Sequence, residues 1–167
     1  MAASPTLSRR ALLFGRSPPG VPALRPPWAI EASAFAAACT RCDACVRACP
    51  EQVLGRDADG LPRLQVGAGE CTFCGDCVRA CADGALDAAV SPPWQLRAQV
   101  GQACLPGHGV VCSSCREICP ESAIRIPPGA RGAAHIDPAA CTGCGACVAI
   151  CPGDAITLSH SPLELAA

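Results

Sequence analysis

The chain has 167 residues, including 16 Cys, 16 Gly and 17 Pro, with aromatics at only 3% and a formal net charge of −1. So few large side chains exclude an ordinary apolar core, and a chain this poor in bulk needs disulfides or metal to hold a fold. All 13 basic residues are Arg, scattered and not interleaved with aromatics, which excludes a nucleic-acid partner.

Residues 1–38 form a basic, Pro-rich arm. Arg9, Arg10, Arg16 and Arg25 stand against Glu31, a net charge of +3, whereas the remaining residues carry nine Arg against thirteen acids, a net charge of −4. "SRRALLFG", residues 8–15, has the layout of a twin-arginine export signal. The apolar stretch such a signal requires is broken by Gly15, Arg16, Pro18, Pro19 and Pro22. "ASA" at 32–34 offers small residues for cleavage, but behind too poor an apolar region. The arm is therefore expected to stay attached, extended, and in contact with a partner. No stretch reaches the 18 or more apolar residues of a transmembrane helix, so no membrane span is expected.

The first module is expected over residues 39–90. It opens with "CTRCDACVRACP", which sets Cys39, Cys42, Cys45 and Cys49 before Pro50. Its second run, "CTFCGDCVRACA", carries Cys71, Cys74, Cys77 and Cys81 before Ala82. Gaps of two, two and three residues followed by Pro are the bacterial 4Fe-4S ferredoxin pattern; the second run lacks only the Pro. A cubane presents four iron corners, each needing a thiolate. Three cysteines on one tight loop wrap three corners, and the fourth, three residues on, reaches the other cluster of a two-cluster module. Gly75, Gly143 and Gly145 are expected to let the backbone approach the sulfurs closely.

Residues 91–103 read as a linker, and 104–160 as the second module. Its first run is stretched: Cys112, Cys115 and Cys119 keep their spacing before Pro120, but the leading cysteine stands at Cys104, across "LPGHGVV". Its last run, "CTGCGACVAICP", is complete, with Cys141, Cys144, Cys147 and Cys151 before Pro152. The last cysteines of the four runs, at 49, 81, 119 and 151, are separated by 32, 38 and 32 residues. This describes two equal modules with a longer join. A Gly- and Pro-containing loop of that length closes at little entropic cost, so Cys104 is expected to bend back as a ligand. His108 in that loop reads as an exposed loop histidine. Four clusters are thus expected, or three if the stretched site is empty.

Within each module the fourth cysteines are expected to be exchanged. The sets are then Cys39, Cys42, Cys45 with Cys81; Cys71, Cys74, Cys77 with Cys49; Cys104, Cys112, Cys115 with Cys151; and Cys141, Cys144, Cys147 with Cys119. Assigning each run to its own cluster uses the same sixteen ligands. After each run, "PEQVL", "ADGAL", "PESAI" and "PGDAI" suggest a short helix start. Leu54, Leu86, Ile124 and Ile156 are expected to turn inward over a cluster. "LPRLQV", "AIRIP", "AHID" and "AITL" read as strand fragments. The fold class is small α+β, loop-rich, built as two tandem bacterial two-cluster ferredoxin-like modules.

Two competing uses of the cysteines are disfavoured. Repeated two-residue gaps are poor disulfide spacing, and the in-register third gap with its Pro is redundant for tetrahedral zinc. Iron should also stabilise the fold, because the core is sparse. No catalytic constellation is present: His135 and His160 are isolated, and nothing resembles a nucleotide loop or open metal position. The chain is expected to move electrons or to help build another protein, not to act as an enzyme.

These residues resemble the NapF family, ferredoxin-type accessory proteins of the periplasmic nitrate reductase system. The likeness is carried by "SRRALLFGR", by "RPPW" from Arg25 to Trp28, by "CTRCDAC", by the stretched "ACLPGHGVVCSSC" and by "CTGCGAC". It covers nearly the whole chain. Ala82 departs from the ferredoxin rule, which bears on the rigidity of the turn more than on ligation. The resemblance implies a cytoplasmic protein, despite its twin arginines. It also implies that the partner is the precursor of the nitrate reductase catalytic subunit, matured before export. The alternative is a cytoplasmic carrier that takes single electrons from a donor protein to a reductase.

Overall fold

The computed structural model describes residues 23–160; "SRRALLFG" lies outside them. In chain order the described residues form α1 (Ala32–Ala38), α2 (Ala44–Ala48), β1 (Leu54–Arg56), β2 (Pro62–Leu64), α3 (Asp76–Arg79) and β3 (Leu96–Val100). A 3-10 turn at Leu105–His108 follows, then α4 (Ser114–Ile118), β4 (Ile124–Arg125), a second 3-10 turn at Pro128–Ala130, β5 (His135–Ile136), α5 (Ala146–Ala149) and β6 (Ile156–His160).

Each run is a loop that becomes a single helical turn at its third cysteine. Cys45, Cys77, Cys115 and Cys147 lie on α2, α3, α4 and α5, and all four are buried. α2 packs on α3, and α4 on α5. Two short helices placed this way bring the third cysteines of paired runs to the middle of each module.

The helix start expected after each run is replaced by a turn. Three residues beyond the fourth cysteine, Gln52, Gly84, Ser122 and Asp154 all adopt positive φ. The N–H of Gln52, Ser122 and Asp154 donates back to the carbonyl of Cys49, Cys119 and Cys151 at 3.2 to 3.3 Å. The left-handed residue reverses the chain, so that Leu54, Leu86, Ile124 and Ile156 return over the cysteines and are buried. A continuing helix would carry them away. The turn after Cys81 is made by Gly84 at φ 71°, without the missing Pro.

Three antiparallel pairs complete the fold. β1 pairs with β2, Leu54 opposite Leu64; β4 pairs with β5, Ile124 opposite Ile136; and β3 pairs with β6, from Leu96 opposite His160 to Val100 opposite Ile156. The second module thus has an inner hairpin, β4–β5, and an outer pair, β3–β6. The first module repeats the plan with β1–β2 and a single bridge between Ala29 and Leu86. Leu86 and Ile156 occupy the same place, five residues after a fourth cysteine.

Two boundaries drawn from charge and spacing are corrected. Residues 24–38 are not an extended arm but part of the first core. Phe35 is 1% exposed, Pro26 and Pro27 are fully buried, and Leu24, Trp28, Ala29 and Ile30 pack on the same cluster. The Leu64 N–H donates to the Leu24 carbonyl at 2.7 Å, and the Cys39 N–H to the Phe35 carbonyl at 2.9 Å, so α1 delivers the first cysteine. Net charge over this stretch hid the apolar anchors. Residues 91–103 are likewise no linker: they contain β3 and buried Trp94 and Leu96. This strand completes the outer pair of the second module, and a module without it would leave β6 with no partner.

Candidate metal centres

All sixteen cysteines are free thiols, and they converge in four groups drawn from pairs of runs. One cavity is lined by Cys39, Cys42, Cys45 and Cys81, under Phe35 and Leu86. A second is lined by Cys49, Cys71, Cys74 and Cys77, with Val53 and Leu54. A third is lined by Cys119, Cys141, Cys144 and Cys147, with Ile124 and Ile136. Each contains three cysteines of one run and the fourth cysteine of its partner run.

The thiols report the same neighbours. Burial pushes Cys45 up to about 11, helped by Cys39 and Cys81. Burial also pushes Cys77 up to about 11, with Cys71, Cys74 and Cys49 adding to it. Cys147 is pushed up to about 12 by burial and then by Cys144, Cys141, Cys115 and Cys119. Cys42 is the exception: at the surface, the Ala44 N–H and the Thr40 hydroxyl hold its thiol below the usual value.

The stretched run forms a fourth group. Cys104 is 8% exposed, and the Ala134 N–H donates to its Sγ at 3.4 Å. The 3-10 turn at Leu105–His108 folds the loop back, with the Gly107 N–H on the Cys104 carbonyl at 2.9 Å and Gly109 closing the turn at φ 78°. The Cys115 thiol is raised by burial and then by Cys104, Cys112 and Cys151. His108 is exposed and its Nε2 lies 2.7 Å from the Gln102 carbonyl.

The loops of runs one, two and four share a backbone device. The residues on either side of the second cysteine have positive φ: Arg41 and Asp43, Phe73 and Gly75, Gly143 and Gly145. Such inversions turn successive N–H groups inward, a nest suited to an anionic group. In the stretched run Ser113 sits at φ −133°, so Cys112 is reached by a different route. Gly143 is required for a reason other than closeness to sulfur. A Cβ there would run into the carbonyl oxygen of Leu96.

Four thiols around one cavity, at least three of them buried or half-buried, fit a polynuclear group. Adjacent thiolates repel and are costly to bury without cations between them. Among the described residues, no three His, Cys, Asp or Glu side chains are drawn close enough for a single metal ion. A tetrahedral zinc would need its sulfurs within about 3.8 Å of each other. The donor chemistry, four thiols to a group, therefore suits a 4Fe-4S cubane.

Comparison with known proteins agrees with this geometry. Residues 38–86 and 110–155 each match a family described as 4Fe-4S dicluster domain. Ferredoxin-type protein NapF of Escherichia coli (strain K12) is 38% identical over 92% of this chain and 94% of its own length. NapF of Haemophilus influenzae is 41% identical over 81% of this chain and 78% of its own length. The chain belongs to the NapF family of ferredoxin-type proteins. Its two halves are tandem 4Fe-4S dicluster ferredoxin domains. The methylamine utilization ferredoxin-type protein MauM of Methylorubrum extorquens is also similar, 35% identical over 86% of this chain and 74% of its own length. Among the described residues, no helix is long and apolar enough to cross a membrane.

Sequence reasoning missed several polar partners of the cysteine loops. The Thr40 hydroxyl donates to Asp83 at 2.7 Å, Asp43 pairs with Arg56, and Asp76 pairs with Arg79 beside Cys74. Thr40 with Asp83 and Asp43 with Arg56 join different turns, which no spacing rule links, whereas Asp76 and Arg79 are an i,i+3 pair on α3.

Proposed function

We propose that this NapF-family chain carries four 4Fe-4S clusters and acts in maturation of the periplasmic nitrate reductase catalytic subunit, in the cytoplasm, before export. The observation that carries the reading is the convergence of sixteen free thiols into four groups of four, in a chain similar to NapF along nearly its full length. The ligand sets are Cys39, Cys42, Cys45 and Cys81; Cys71, Cys74, Cys77 and Cys49; Cys104, Cys112, Cys115 and Cys151; and Cys141, Cys144, Cys147 and Cys119. When bound, the clusters supply one-electron storage whose potential is set by charge, hydrogen bonding and solvent access. The chain's own residues shape that environment. Leu54, Leu86 and Ile124 line the three cavities on the protein side, and exposed Cys42 and Cys74 leave a wet side towards partners.

The basic N-terminal segment is the part assigned to the precursor. The full chain and a form lacking residues 1–22 are to be mixed anaerobically with purified precursor, and binding measured by calorimetry. The full chain should bind and the truncated form should lose at least tenfold in affinity. Full-chain binding no tighter than to an unrelated exported precursor would overturn the maturation role and favour the carrier, which takes electrons from a donor protein and passes them to a reductase.

A further inference from the structure

We infer that the two modules couple electronically through the loops of runs two and four, not through runs two and three that adjoin in sequence, and that Trp94 and Gly143 are the positioning residues of this contact. The inference rests on the proposed cluster ligands. Its core is one hydrogen bond: the N–H of Cys71 donates to the carbonyl of Cys144 at 2.8 Å. Two ligand cysteines of different modules are thus joined backbone to backbone, giving a path of covalent bonds interrupted by a single hydrogen bond. Among the described residues, no backbone hydrogen bond joins the run-three loop to the run-two loop.

Independent contacts hold the loops in place. The Trp94 indole N–H donates to the Thr142 carbonyl at 2.8 Å. Phe73, inside the second-run loop, meets the Trp94 ring edge to face at 5.2 Å. Gly143 is buried against the Leu96 carbonyl, where any side chain would push run four away. Gly145 faces Gly69, and its Cβ would stand 3.4 Å from the Gly69 carbonyl. Within each module the third cysteines are neighbours, Cys45 near Cys77 and Cys115 near Cys147. The spatial order of the groups is therefore first, second, fourth, third. One electron crossing the contact oxidises the second-run centre by one, reduces the fourth-run centre by one, and moves no proton. In the test below dithionite is the external reductant.

Two measurements decide the matter. In the wild-type holoprotein, the Cys71 amide should exchange with deuterium at least about 100-fold more slowly than exposed loop amides. Trp94→Phe should cut that protection about tenfold, the effect of losing a fixing hydrogen bond. Rapid Cys71 exchange in the wild type would overturn the inference with no variant needed. The second measurement is electron spin resonance on dithionite-reduced double variants. Cys39→Ala with Cys104→Ala leaves the second and fourth centres, and these should show spin–spin splitting. Cys39→Ala with Cys141→Ala leaves the second and third, which should show none. Splitting in the second variant but not the first overturns the proposed order. Iron in the wild-type chain well under the proposed four clusters counts against the cluster reading itself, whereas full iron with the wrong splitting counts against the order alone.

Discussion

The guanidinium of Arg25 lies 2.7 Å from the carboxylate of Asp57, 32 residues away in sequence. The same guanidinium stands 5.4 Å above the ring of Phe35. Asp57 also accepts the N–H groups of Asp59 and Leu61, each at 2.9 Å. One ion pair therefore ties the segment before α1 to the turn between β1 and β2. Burial opposes the charge on Asp57, yet its bonds to Arg25 and Leu61 hold the carboxyl below the usual range.

Truncation should therefore depend sharply on where it is made. A chain that begins at residue 23 keeps Arg25 and Phe35, so removing 1–38 should lower the thermal unfolding of the holoprotein well below that of the shorter truncation. Phe35→Ala should cost about 3 to 5 kcal/mol, the usual penalty for emptying a buried aromatic site. Anaerobic denaturant titration checks this, and a loss below about 1 kcal/mol would place residues 24–38 outside the core.

Cys104 should be a ligand. Reconstituted wild-type protein should hold about sixteen irons per chain, and Cys104→Ser about twelve. His108→Ala should retain the wild-type count, since its ring is engaged with Gln102 on the outside. Metal and acid-labile sulfide analysis provides the answer; an unchanged count in Cys104→Ser would remove Cys104 from the site.

Paired deletions distinguish exchanged from own-run ligation. Cys49→Ala with Cys74→Ala removes two ligands from one proposed centre and should leave about twelve irons. Cys49→Ala with Cys42→Ala strikes two centres and should leave about eight. The opposite result would mean that each run binds its own cluster.

Alkylation should rank the thiols by burial. In iron-free protein whose circular dichroism still matches the holoprotein, the lowered thiol of Cys42 has the larger thiolate fraction at neutral pH and should react first with iodoacetamide. Cys45, pushed up to about 11, and Cys147, pushed up to about 12, stay protonated there and should react only as pH climbs well above neutral. Peptide mass mapping after short exposure from pH 6 to 10 measures this order. Cys147 modified as early as Cys42 would contradict the burial. Cluster loading should protect all three.

Much of the site was legible because its information is local. Spacings of two and three residues decide which cysteines share a loop, and the conformation of so short a loop is set by its own residues and turns. The inward turn of Leu54, Leu86, Ile124 and Ile156 follows for the same reason; "LPRLQV", "AIRIP" and "AHID" hold β2, β4 and β5, and "AITL" holds the first three residues of β6. β1 and β3 went unread: Gly55 interrupts one, and the other lies in a stretch that spacing had marked as connecting chain.

The sequence by itself determined the kind of chemistry, four thiol runs in two modules, and its family. Tertiary structure alone decided that Phe35 and Trp94 belong to the core and that run two meets run four. Those outcomes depend on contacts between residues tens of positions apart, such as Arg25 with Asp57 or Gly143 with Leu96. Burial and steric fit select such contacts only when the whole chain is packed, so no spacing within a single run could encode them.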